Sequence, residues 1–344
     1  MLTRRRLRLH WVLKRSLIQI LFLMLWATFA LVVYEYWGQT WVAVPWLPMS
    51  LVGTALAFYV GFKNNSSYGR LWEARKIWGA IVNTSRSWGT ICKHFLTPTE
   101  PKSKKEKKKL QDTTQRLIYR HIAWLYILRE QLLTPRSWEH YQTNPKHQYI
   151  IDKTRKTLRK NFDTETLEEL IEPLLSKDER EQYQGVSNRA TQILDKQSEE
   201  LASCKEAGWV SDFQHIEMQK LITDLYTQQG KCERIKNFPF PRLYASASYW
   251  FVLVFIFFLP FSMIRSFLNM GPDAIWIVIP FTAVVGWVFL TMESIGDYSE
   301  HPFQGLFNDI PMKSLSRTIE IDLREMLGET ELPPKIGSID GVQM

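Results

Sequence analysis

Leu17 to Tyr34 reads LIQILFLMLWATFALVVY, an apolar run in which Gln19 and Thr28 are the only polar residues. A run of this length matches the roughly 30 Å hydrocarbon thickness of a bilayer. It constrains the chain more than any other segment, because it needs a membrane around it. Arg4-Arg5-Arg6-Leu7-Arg8 and Lys14-Arg15 precede it, a basic flank of the kind retained on the cytosolic side. A secretory signal also begins basic and then turns apolar. This run is too long for a typical signal core, however, and Glu35-Tyr36-Trp37 resembles no small-residue cleavage site. The prediction is a retained transmembrane helix.

Three further runs follow: Met49 to Phe62, Ala245 to Ile264 and Ala274 to Met292. The first, as a helix, spans only about 21 Å and leads into polar Lys63-Asn64-Asn65-Ser66-Ser67, which suits a bundle interior better than lipid. The last two contain Pro260 and Pro280, which membrane helices tolerate. Lysine and arginine are missing from Glu35 to Trp46 and reappear at Lys63, Arg70, Arg75 and Lys76. The link between the last two runs holds only Arg265. That asymmetry predicts a multi-pass plasma (inner) membrane protein with four spans, near 17–34, 49–62, 245–264 and 274–292, and both termini cytosolic. Helical periodicity, as in Ile118, Ile122, Leu125 and Leu128, fills the stretch 68–236, and one more helix is expected over 314–327. The fold class is therefore all-α. The cytosolic helices interleave with the membrane runs, so residues 1–344 are treated as a single domain.

The net charge of +8 is compatible with either nucleic acid or a membrane surface as partner. Its distribution favours the membrane, because the N-terminal cluster abuts an apolar run and Lys102 to Lys109 lacks interleaved aromatics. No nucleic-acid partner is expected. Lys102 to Lys109 is expected as a solvated loop, with anionic lipid as the alternative contact. Cys92, Cys204 and Cys232 have no metal-ligand or disulfide spacing and are expected as buried thiols. His10, His94, His121, His140, His147, His215 and His301 form no ligand pair, and no nucleophile elbow, phosphate loop or dinucleotide fingerprint occurs. No cofactor, metal site or catalytic residue is indicated. Glu73 and Arg75 point about 200° apart on a helix and form no local pair. Glu293 and Asp297, four residues apart after the fourth run, are either a cation-binding pair or a helix end beside water or a basic neighbour.

In the second run Gly53, Ala57 and Gly61 recur every four residues, a small-residue stripe that permits close helix packing. One residue on, Thr54, Phe58 and Phe62 repeat the spacing on a face turned about 100° away. Such a helix suits a symmetric ring, with small residues seating neighbouring copies and phenyl groups facing the axis. Ordinary core aromatics would show the same spacing.

Phe62-Lys63-Asn64-Asn65-Ser66-Ser67-Tyr68-Gly69-Arg70-Leu71-Trp72-Glu73-Ala74-Arg75-Lys76-Ile77-Trp78-Gly79 resembles the segment after the pore helix of bacterial bestrophins, with Arg70-Leu71-Trp72-Glu73 replacing their usual Arg-Trp-Trp-Glu. Cys232 to Asn237, Pro302-Phe303, Asn308-Asp309-Ile310-Pro311 and Ser316 to Glu320 resemble later family segments in the same order. The resemblance implies a homopentameric, mostly helical channel with one axial pore. It places a hydrophobic neck at Thr54, Phe58 and Phe62, where Thr54 departs from the usual aliphatic residue and makes that ring wetter. It places a cytosolic aperture at Ile216. Some bacterial members pass cations, but two phenylalanine rings presenting positive edges favour anions, chloride foremost. The calcium clasp of animal members is not expected, because only Asp309 supplies a carboxylate after Pro302-Phe303. Alternatives are a cation-selective channel, a membrane-anchored helical scaffold without transport, and a membrane enzyme, the last disfavoured by the missing acid, base and metal ligands.

Overall fold

The computed structural model describes residues 1–3, 9–97, 103–139, 165–339 and 341–344, with scattered positions between 153 and 162. Arg4 to Arg8, Pro98, Pro101, Lys102, His140, Pro145 and His147 lie outside the described residues. The helices in chain order are α1 (Leu9–Leu31), α2 (Trp46–Phe95), α3 (Lys104–Leu133), α4 (Leu167–Ile171), α5 (Lys177–Gln182), α6 (Arg189–Glu206), α7 (Asp212–Asn237), α8 (Arg242–Leu268), α9 (Val278–Ser299) and α10 (Met312–Leu327). No strand occurs among the described residues; the only β features are isolated bridges near the chain ends.

Among the described residues, four stretches are long and apolar enough to cross a membrane: Ser16–Tyr36, Thr40–Phe95, Arg242–Leu268 and Pro272–Ser299. They coincide with the four predicted runs. The second differs in extent. Instead of stopping at Phe62, α2 continues through the polar segment for 50 residues, about 75 Å. Its one proline, Pro48, sits in the first turn, where the missing N–H breaks no helical bond. Pro280 likewise falls in the first turn of α9, because residues Pro272–Ile277 form a separate 3₁₀ turn. Pro260 is interior to α8, and nearby Ser262 Oγ donates to the Leu259 carbonyl at 2.8 Å. The lysine-rich stretch also differs from the expected loop. Ser103 accepts the Glu106 N–H at 3.2 Å, and this N-cap opens α3 at Lys104.

The chain divides into two compact units. The membrane unit combines residues 4–70 with 240–301; the polar unit holds residues 1–3, 71–239 and 302–344. Leu23, Leu56, Val60, Val252, Leu259, Ile264 and Val278 form the core of the membrane unit. α1 lies against α8 and α9, and Trp26 Nε1 donates to the Phe257 carbonyl at 3.1 Å.

The polar unit packs the second half of α2 with α3, α6, α7 and α10 around Trp78, Trp88, Leu117, Ile122 and Trp124. Several polar groups inside this core are paired, although Trp78 Nε1 has no hydrogen-bond partner among the described residues. Trp124 Nε1 donates to Gln229 Oε1 at 3.0 Å, and Arg120, 1% exposed, meets Glu179 and Glu200. His121 is fully buried with its ring beside Trp88 and Trp124. Ser85 Oγ donates to the Ile81 carbonyl, so its one hydrogen is committed and His121 Nε2–H must be the donor across 2.8 Å. Burial lowers the imidazole to about 3, so the ring is neutral.

After α9, Asp309 closes a tight loop by accepting the Leu306 N–H at 3.0 Å. Burial pushes its carboxyl up to about 7. These two groups tie stability to pH with opposite signs. For Asp309, proton uptake stabilises the native state fully below about pH 4, and this is lost as pH rises through 7. For His121, staying neutral stabilises it above about pH 6.5, and this is lost as pH falls through 3. Each linkage involves on the order of 4 kcal/mol. Asp309→Asn is therefore expected to make stability climb from about pH 3 to 6.5, and His121→Phe to make it decline from about pH 4 to 7. Denaturant melts at stepped pH check both slopes; identical profiles in the two variants would contradict the assignment.

All three cysteines are free and buried, as expected from their spacing. Burial raises the Cys204 thiol to about 11 and raises Cys92 and Cys232 as well.

Candidate pore-lining site

α2 has two unlike faces within the membrane unit. Leu56, Val60, Lys63 and Ser67, spaced four, three and four residues apart, are all buried. Thr54, Phe58 and Phe62 lie on the opposite side. All three are exposed in the single chain, with Phe58 at 66% and Phe62 at 64%. Thr54 Oγ1 donates to the Ser50 carbonyl at 2.9 Å, so its hydroxyl hydrogen is turned back to the helix. The small-residue stripe splits. Gly53 faces the Phe255 ring of α8, where an added Cβ would come within 2.9 Å, while Ala57 and Gly61 are exposed. Gly53 thus serves close packing within its own chain.

Beside Phe62, Lys63 points into the unit and is 0% exposed. Its ammonium pairs with Glu293 and, at 2.6 Å, with Asp297, both on α9. Ser248 Oγ of α8 donates to the second Glu293 oxygen at 2.6 Å. One cation thereby satisfies two carboxylates and joins α2 to α9, with α8 tied in through the hydroxyl. Of the two alternatives for the Glu293 and Asp297 pair, the basic neighbour is the one observed. The cluster ties the buried face of α2 to α9, and Phe62 projects about 100° round the helix from Lys63.

Ile216 belongs to the polar unit, near the start of α7 and 51% exposed. Ser211 and Gln214 form a reciprocal capping box that sets this helix start. Phe213, one turn earlier, is 85% exposed and is a second apolar candidate that the sequence reading missed. Its signal was an aromatic directly after the capping serine and aspartate. Glu73, not locally paired with Arg75, forms an ion pair with Arg234 of α7.

The model of the family described as Bacterial/Fungal Bestrophin protein matches residues 7–325. The voltage-dependent anion channel-forming protein YneE of Escherichia coli (strain K12) is 27% identical over 289 residues, covering 84% of this chain and 79% of that protein. The voltage-dependent anion channel-forming protein RSc3414 of Ralstonia nicotianae is 26% identical over 304 residues, covering 88% and 84%. Among solved structures, a bacterial bestrophin homolog from Klebsiella pneumoniae is similar in fold, with a TM-score of 0.72 and 23% identity over 92% of this chain and 99% of that one.

Proposed function

Because the chain belongs to the bacterial and fungal bestrophin family, we propose that it is one subunit of a passive anion channel, five copies enclosing one pore and chloride as the foremost permeant ion. Thr54, Phe58 and Phe62 form the neck, and Ile216 lines a second constriction. Both units serve this one conduction path as a single functional domain. The channel lies in the bacterial inner membrane with both termini in the cytosol.

The observation that carries this reading is the pair of exposed phenyl rings on α2, set opposite a face that the chain buries in its own core. Rings with positive edges favour a partly dehydrated anion over a cation. The relatives named as anion channel-forming proteins support the same sign of selectivity.

Reversal potential in a planar bilayer under a potassium chloride gradient tests the proposal. A value near the chloride equilibrium potential is expected. A value near that of potassium would reverse the selectivity while keeping the channel, and absence of current would favour the scaffold.

A further inference from the structure

Within the polar unit a cleft of about 560 Å³ opens between α2 and α10. Its polar lining is one-sided. Arg75, Lys76 and Arg86 contribute three cations, of which, among the described residues, only Arg86 is matched, by Asp322 at 2.7 Å. The neighbouring cations are engaged: Lys93 donates to the Met326 carbonyl, Arg317 pairs with Glu320, and Arg324 pairs with Glu329. Arg75 and Lys76 are exposed and, among the described residues, have no ion-pair partner. The cleft therefore keeps an excess of two positive charges, with the exposed Asn83 amide and Thr318 at its edges.

The floor explains a mid-helix glycine. Glycine inside a helix costs about 1 kcal/mol relative to alanine. At Gly79, apart from the adjoining helix backbone and among the described residues, the one atom within 4 Å of an added Cβ is Arg75 Nη1, at 3.7 Å. The missing side chain leaves room over which the guanidinium lies. Val82 and Leu315 supply an apolar wall. The volume falls in the range of small-molecule sites and far exceeds what a halide fills. A guanidinium fork, a compact ammonium and amide donors match phosphate oxygens, and the apolar wall matches an organic group attached to them.

We propose that this cleft binds a phosphomonoester, with Arg75 and Lys76 holding the phosphate and Val82 and Leu315 contacting its organic part. This site is separate from the neck and does not depend on the channel's ion selectivity.

Calorimetric titration of phenyl phosphate into the purified full-length protein tests the proposal, with inorganic phosphate as the comparison. Saturable binding is expected, tighter for phenyl phosphate. Arg75→Gln/Lys76→Gln should weaken it by about tenfold or more. Gly79→Leu should weaken it similarly by filling the cleft, and it improves helix propensity, so a folding defect is not the expected cause. Lys104→Gln/Lys105→Gln, which removes exposed lysines elsewhere, should leave binding unchanged. The proposal is overturned if wild type shows no saturable binding or if the control pair weakens it equally. It is also overturned if wild type does not bind and the Arg75/Lys76 variant splits the assembly on size exclusion, because the cations then face another copy of the chain.

Discussion

Replacing Phe58 and Phe62 together with alanine is expected to raise single-channel conductance or leave the channel open without a stimulus. A narrow apolar neck resists ions because water leaves it and the ion must shed hydration. The rings are exposed in the single chain, so their removal leaves no cavity in its own core. The effect should therefore appear in conduction and not in folding. Lowering the barrier by about 1.4 kcal/mol raises flux roughly tenfold, and loss of two phenyl groups per subunit acts on a barrier of at least that order. Currents matching wild type would remove Phe58 and Phe62 from the neck.

Lys63→Met is expected to give the largest loss of stability among single substitutions. It leaves Glu293, with a side chain only 4% exposed, facing Asp297 without the cation that satisfies both. Removing one partner of a buried pair costs about 3–5 kcal/mol, a large share of a typical folding free energy of about 5–15 kcal/mol. The expected readout is a sharply lower melting temperature or loss of assembled protein. Lys63→Met/Glu293→Gln removes the buried charge along with its partner and should recover part of the loss. If Lys63→Met melted like wild type, the ammonium would not be the element joining α2 to α9. Conductance of the double variant then asks a separate question: whether the cluster also sets the direction of Phe62.

The four spans were legible because a bilayer imposes length and apolarity, which are properties of contiguous sequence. The length of α2 was less so. The polar residues after Phe62 marked the end of an apolar run, yet no proline follows in the helix, and nothing local stops it before Phe95. In the sequence Lys63 reads as a topology signal, whereas in the fold it is a buried partner of residues 230 and 234 positions away. Glu73 found Arg234 at a separation of 161. Periodicity reports which face of a helix is apolar, but it does not report which distant helix supplies the counter-charge. The same limit applies to Gly53. Its small-residue spacing was legible, and its contact with Phe255, about two hundred residues away, was not.

The buried thiols have a practical consequence for probing the neck. Cys92 and Cys232 are 0% exposed and Cys204 is 2% exposed, and each is held in its protonated form. Thiolate-directed reagents need both access and deprotonation. The native chain is therefore a silent background for maleimide or methanethiosulfonate labelling while folded. A single cysteine placed at position 54, 58 or 62 would be the one reactive thiol, and its modification rate would report how water reaches each level of α2 without first stripping the protein of its own cysteines.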